Sequence, residues 1–190
     1  MSVSLTNVET KVRYVLNDIA ETVYDIFTFY TSRIFTLEEN YPIAVSSVHI
    51  NDILLPSSDW SYNSSKVTIE DTLTSNYTLS VGDSVKITYT SYKNFGSTEI
   101  ASAVRTVLMQ LSINNYLEFH VDTENNIQPS PTTKEQNLIA IISAYKLRPD
   151  VSSLRLPDFS VSQKDALVFD DFVRKVIAFS GWSGVLINLH

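Results

Sequence analysis

The sequence predicts an α+β fold: a small helical bundle interrupted by an antiparallel β-sandwich-like insertion, with an extended C-terminal tail. Three observations carry this reading. Apolar residues recur at helical spacing near the N-terminus and again through the second half of the chain. Between them lies a run of β-branched and aromatic residues broken at short intervals by turn-forming clusters. Finally, SVGDSVKITYTSYKNFGSTEIASAVRTVLMQLSINNY (residues 80–116) changes its apolar rhythm midway. Val85, Ile87 and Tyr89 alternate as in a half-buried strand, and after Gly96 the residues Ile100, Val104, Val107, Leu108, Leu111 and Tyr116 gather on one helical face. That stretch is where the chain returns from the insertion to the helical body. The expected division is residues 1–20 and 96–180 for the helical core, 21–95 for the inserted β domain, and 181–190 for the tail.

Taken in order, a first helix is expected from about Asn7 to Asp18, with Val8, Val12, Val15, Leu16 and Ile19 as its apolar stripe and Thr6 or Asn7 as its cap. Strands follow near 22–29, 33–37, 44–50, 52–55, 59–63, 66–70 and 84–91. Val45, Val48, Ile50, Val67 and Ile69 line their inner face, and VGDSV (81–85) reads as a turn. The second helix is expected to start with Ser97 as its cap and Glu99 in its first turn, and to run to about Leu117. HVDTENNIQPSPTTKEQ reads as an exposed loop, and the next helix ends before Pro149 with Leu138, Ile141, Ile142 and Tyr145 as its apolar face. DVSSLRLPDFSVSQ is extended. A fourth helical pattern passes through Leu167, Phe169, Phe172, Val173, Val176 and Ile177 and stops at Gly181.

A chain of 190 residues buries a full core, and 44% hydrophobic with 18% charged residues is the balance of a soluble globular protein. The 21 acidic residues outnumber the 14 basic ones, and the basic residues are scattered singly, which argues against autonomous binding to nucleic acid. The absence of cysteine removes disulfides, thiol nucleophiles and thiolate metal sites. The first residues lack the apolar run of a signal peptide, and no stretch has the length of a membrane span, so synthesis in the cytoplasm is expected. In that setting the NSS at Asn63 and the NYT at Asn76 are chance sequons.

No motif points to a reaction. His49, His120 and His190 lie far apart without the companions of a zinc site, and Asp170 and Asp171 are helical neighbours that point in different directions. With four glycines there is neither a P-loop nor a Rossmann fingerprint, and no GxSxG surrounds any serine. No cofactor, metal or catalytic residue is therefore expected. The aromatic set Tyr24, Phe27, Phe29, Tyr30, Phe35, Trp60 and Tyr62 suits either a sugar-stacking platform or, more simply, strand core. In the tail GWSGVLINLH, Trp182, Val185, Leu186, Ile187 and Leu189 form an apolar extended run. Such a run fits a strand added to another chain's sheet or the last strand of the protein's own.

This organisation resembles the head-to-tail connector, or adaptor, proteins of tailed bacteriophages. The likeness lies in the helix ending VRYVLND, the insertion FTLEENYPIAVSSVHINDILLPSSDWSYNSSKVTIE, and the strand ending Ile-Thr-Tyr that leads to a Ser/Thr-Glu helix start. It covers residues 8–148 in organisation and 35–116 most specifically. It departs at Asn51-Asp52, where such insertions commonly have Asn-Gly. The resemblance implies a non-enzymatic virion protein of the neck, a ring of typically about twelve copies. Such a ring would bind the portal protein, extend the DNA channel without sequence-specific contacts, and dock the next tail or stopper protein. Trp182, Val185, Leu186, Ile187 and Leu189 are the expected partner-binding residues. Competing readings are a carbohydrate- or receptor-binding β-sandwich module of a virion or tail and, with no nominated residues, a hydrolase.

Overall fold

The computed structural model describes residues 2–74, 77–113, 118–150, 153–156, 159–163, 167–180 and 186–189; for 159–163, 179–180 and 186–189 it describes the backbone alone. In chain order the elements are β1 (Val3–Ser4), α1 (Leu5–Leu16), β2 (Glu21–Thr28), β3 (Ile34–Thr36), β4 (Tyr41–Ile50) and β5 (Ile53–Leu54). A 3-10 turn at Ser57–Asp59 precedes β6 (Trp60–Asn63), β7 (Lys66–Ile69), β8 (Ser84–Tyr92) and α2 (Ser97–Ile113). The chain continues through β9 (His120–Val121), β10 (Asn126–Gln128), α3 (Thr133–Leu147), β11 (Ser153–Leu156), β12 (Phe159–Gln163), α4 (Phe169–Ser180) and β13 (Leu186–Leu189). They form two compact units, residues 1–18 with 97–190 and residues 19–96. The fold is α+β, a helical unit interrupted by an antiparallel β insertion.

In the helical unit, α1 begins earlier than the apolar stripe suggests. Ser4 is the cap: its hydroxyl accepts from the Asn7 N–H at 3.3 Å while Asn7 Oδ1 accepts from the Ser4 N–H at 3.0 Å. Asn7 is thus the reciprocal partner in the first turn, and Leu5 is buried as the first helical residue. Asn17, in the left-handed region at φ 53°, ends the helix. Thr132 and Glu135 make the same reciprocal cap at the start of α3.

Every residue of α3 from Asn137 to Tyr145 is buried. The face expected from Leu138, Ile141, Ile142 and Tyr145 is therefore only part of what this helix covers, because α1, α2, α4, β11 and β12 all pack around it. A helix surrounded on every side has no polar face to reveal its period. Tyr145 stacks on Phe172 of α4 with ring centroids 3.7 Å apart, and its hydroxyl donates to the Leu167 carbonyl and accepts from the Leu167 N–H at 2.6 and 2.8 Å. One phenol thereby anchors the entry to α4.

The stretch expected to be an exposed loop after α2 contains a hairpin. β9 and β10 pair antiparallel, and β1 joins β10 to give the order β1-β10-β9. The turn is built by Asp122, whose carboxylate accepts from the N–H groups of Glu124 and Asn126, with Asn125 at φ 61°. Strands of two and three residues are too short for alternation to show. A second sheet, β11-β12-β13, pairs β12 antiparallel to β11 and parallel to β13.

The insertion is a sandwich of two sheets, β2-β8-β4-β5 and β3-β7-β6. Val85, Ile87 and Tyr89 of β8, Val48 and Ile50 of β4, and Val67 and Ile69 of β7 are almost wholly buried between them, with Phe35 and Leu55. Alternation along β8 is complete, which is why its rhythm is so clear in the sequence. Asn51 and Asp52, at φ 46° and 67°, make the two-residue link between Ile50 and Ile53. Positive φ at both positions is the type I′ hairpin, so Asp stands where Gly is the easier residue. Gly82, at φ 95°, makes the turn into β8.

Candidate functional site

The two ends of the insertion meet at one side chain. Glu9 and Arg13 stand four apart on α1, and Arg13 Nη2 lies 2.9 Å from Glu9 Oε1. Nη1 of the same guanidinium is 2.7 Å from Asp18 Oδ2, and Nη2 donates to Ser97 Oγ at 3.2 Å. Asp18 is the last residue of the helical unit before the insertion and Ser97 the first after it. Arg13 is 5% exposed and Asp18 1%. A planar fork with five donors reaches three acceptors at once, which a lysine cannot reproduce. The Glu9/Arg13 spacing is the one trace of this in the sequence, and it went unread; that both chain crossings converge there required the tertiary structure.

Other acidic groups are also committed to structure. Asp25 points inward from β2, at the position its alternation with Val23 and Phe27 dictates, and its Oδ2 accepts from Tyr89 Oη at 2.8 Å and from the Glu38 N–H at 2.9 Å. Burial pushes the Tyr89 phenol from its ordinary 10.0 up to about 12, opposed by the Glu39 N–H and reinforced by the Asp25 carboxylate. Asp59 is fully buried and accepts from the N–H and hydroxyl of Thr74, holding the chain after β7. Asp83 is held below the usual carboxylate range, first by the Ser80 N–H and then by Asn51. These acids fix loops and turns.

His49 lies on β4 of the insertion and His120 on β9 of the helical unit, while His190 is outside the described residues. Among the described residues no group of three or more His, Asp or Glu is placed to hold a metal ion. Asp170 and Asp171 are exposed in the first turn of α4. A groove between α1 and α2 is lined by Thr6, Glu9, Ser97, Thr98, Ser102, Arg105 and Asn125. Its charges are engaged, Glu9 with Arg13 and Arg105 with Asn125 Oδ1 at 2.9 Å.

The aromatic set divides. Phe29 and Phe35 are core, Phe27 packs against Phe35 at 5.3 Å, and Trp60 and Tyr62 are half-buried against the same core, with Tyr62 Oη donating to the Pro42 carbonyl. Tyr24 and Tyr30 are 60% and 67% exposed. Tyr24 lies on the outward face of the four-stranded sheet, with Lys86 Nζ 4.7 Å from its ring centre. On that face Ile26, Lys86, His49 and Leu54 form one row across all four strands.

Of the expected partner-binding residues, Trp182 and Val185 lie outside the described residues. Leu186, Ile187 and Leu189 belong to β13, the end strand of the β11-β12-β13 sheet, with Ile187 opposite Val161. Leu186–Leu189 thus pair within the protein's own sheet.

Among the described residues no helix is long and apolar enough to cross a membrane. No protein-family model and no curated protein matches the chain.

Proposed function

We propose that the protein is a non-enzymatic structural subunit of a tailed-phage virion, a head-to-tail connector that forms a ring beneath the portal, extends the DNA channel and docks the next tail component. The observation that carries this reading is the interrupted helical unit: the insertion leaves at Asp18 and returns at Ser97, with both crossings held by Arg13. This is the organisation on which the resemblance to connectors stands. The use of Asp18, Asp25 and Asp59 as structural acceptors adds support, since a scaffold spends its buried acids on geometry. The formal charge of -7 suits a channel wall along which DNA slides without being gripped. β13, at the end of its sheet, offers an edge to a portal or tail strand.

Native mass spectrometry of the protein, alone and mixed with the portal protein of the same phage, tests the reading. A ring formed on the portal supports it; a chain that ignores the portal overturns it. Truncation after Gly181 removes β13 and is expected to abolish docking while α-helical circular dichroism persists. A truncated protein that still docks removes the tail from the contact.

A further inference from the structure

We infer that strand β2 is a docking edge for a second copy of this chain, the two β2 strands pairing antiparallel about a two-fold axis through Tyr24. Strand edges invite pairing, and proteins blunt them with brevity, proline, lysine, inward-pointing charges or bulges. In this sandwich β5, β3 and β6 are two, three and four residues long. Beyond the two residues paired with β5, β4 carries Pro42 and two register irregularities. β2 lacks brevity, proline, lysine and bulges: it runs for eight residues in unbroken register with β8, which among the described residues is its one strand neighbour. Its inward acid, Asp25, is occupied by Tyr89 and the Glu38 N–H.

The core also stops short there. Tyr89 and Val85 of β8 are fully buried, whereas their β2 neighbours Val23 and Phe27 are only half-buried, and Tyr24 and Ile26 on the outward face are each 60% exposed. A second β2 would cover the half-buried pair and lie beside the exposed one.

Charge selects the occupant's register. With Tyr24 on the axis, Glu21 faces Phe27, Thr22 faces Ile26 and Val23 faces Asp25 of the other copy, so no two carboxylates are opposed. A two-residue shift sets Asp25 against Asp25. The contact is isologous, so it does not by itself generate a cyclic ring, and it stands independently of the connector reading.

The chain has no cysteine, so single replacements report register cleanly. Directly opposed residues in an antiparallel pair have Cα atoms about 4.5–5.5 Å apart, within disulfide reach. The full-length protein without portal is expected to sediment as a dimer, and Tyr24→Cys to give a disulfide-linked dimer under mild oxidation. Ile26→Cys alone should stay uncrosslinked, while Thr22→Cys with Ile26→Cys should crosslink. Tyr24→Lys, an outward change, should give a folded monomer. A wild-type monomer at all soluble concentrations, or Ile26→Cys crosslinking as readily as Tyr24→Cys, overturns the proposal. Neither result bears on portal docking.

Discussion

Replacing Arg13 by Met keeps most of the side chain's length and removes the fork that binds Asp18, Glu9 and Ser97. The Asp18 side chain has 0% exposure and the Arg13 side chain 6%, so the carboxylate left behind has no ready access to water. Breaking a buried pair from one side costs about 3–5 kcal/mol, most of it the stranded charge. Glu9, at 17%, is partly hydrated and adds roughly 0.3–0.5 kcal/mol as an i,i+4 pair. The expected loss is therefore about 3–5 kcal/mol, a large share of the roughly 5–15 kcal/mol of a typical domain. Asp18→Asn in the same chain removes the stranded charge, so the double variant should be more stable than Arg13→Met alone. Urea titrations of the four proteins measure this. A coupling energy below about 0.5 kcal/mol would refute the claim that the pair acts as a unit, because that is the scatter of independent sites. Hydrogen exchange adds a spatial check: amides near Asp18 and Ser97 should lose protection first.

Three further outcomes follow from single contacts. Tyr145→Phe keeps the stack on Phe172 but leaves Leu167 without its phenol partner, and should cost about 1–3 kcal/mol in denaturant titration, with α4 exchanging faster. Asp52→Gly relieves a positive-φ residue in the type I′ turn and should add roughly 0.5–1 kcal/mol; no gain would mean that the Asp side chain holds the turn. The raised Tyr89 phenol favours the neutral form in the folded state. Its contribution is fully present below the ordinary 10.0 and is lost as the pH rises through about 12. Stability should therefore fall more steeply over that window in the wild type than in Tyr89→Phe, with the phenolate absorbance of one tyrosine appearing late.

Much of this protein was legible because burial is one-sided where the signal was strong. Strand β8 has a buried and a half-exposed face, and α1 and α2 each turn one stripe inward, so their periods show in the residues themselves. Where burial is complete or elements are very short, periodicity carries no information. That is why α3 discloses only part of its packing in the sequence and the β9-β10 hairpin looks like an exposed loop there. Asp25 was legible in principle, as an acid at an inward position of an alternating strand, but its partners lie 13 and 64 residues away.

By itself the sequence determined the fold class, the interruption of a helical body by a β module, and the turn at Gly82, since these depend on local pattern and backbone preference; the type I′ turn at Asn51-Asp52 came from the structure. Only the tertiary structure decided that Asp18 and Ser97 meet on Arg13, that Leu186–Leu189 pair with β12, and that β2 is left at the end of its sheet. Such pairings join residues distant in the chain, and which strand or side chain completes them is settled by packing that no local pattern encodes.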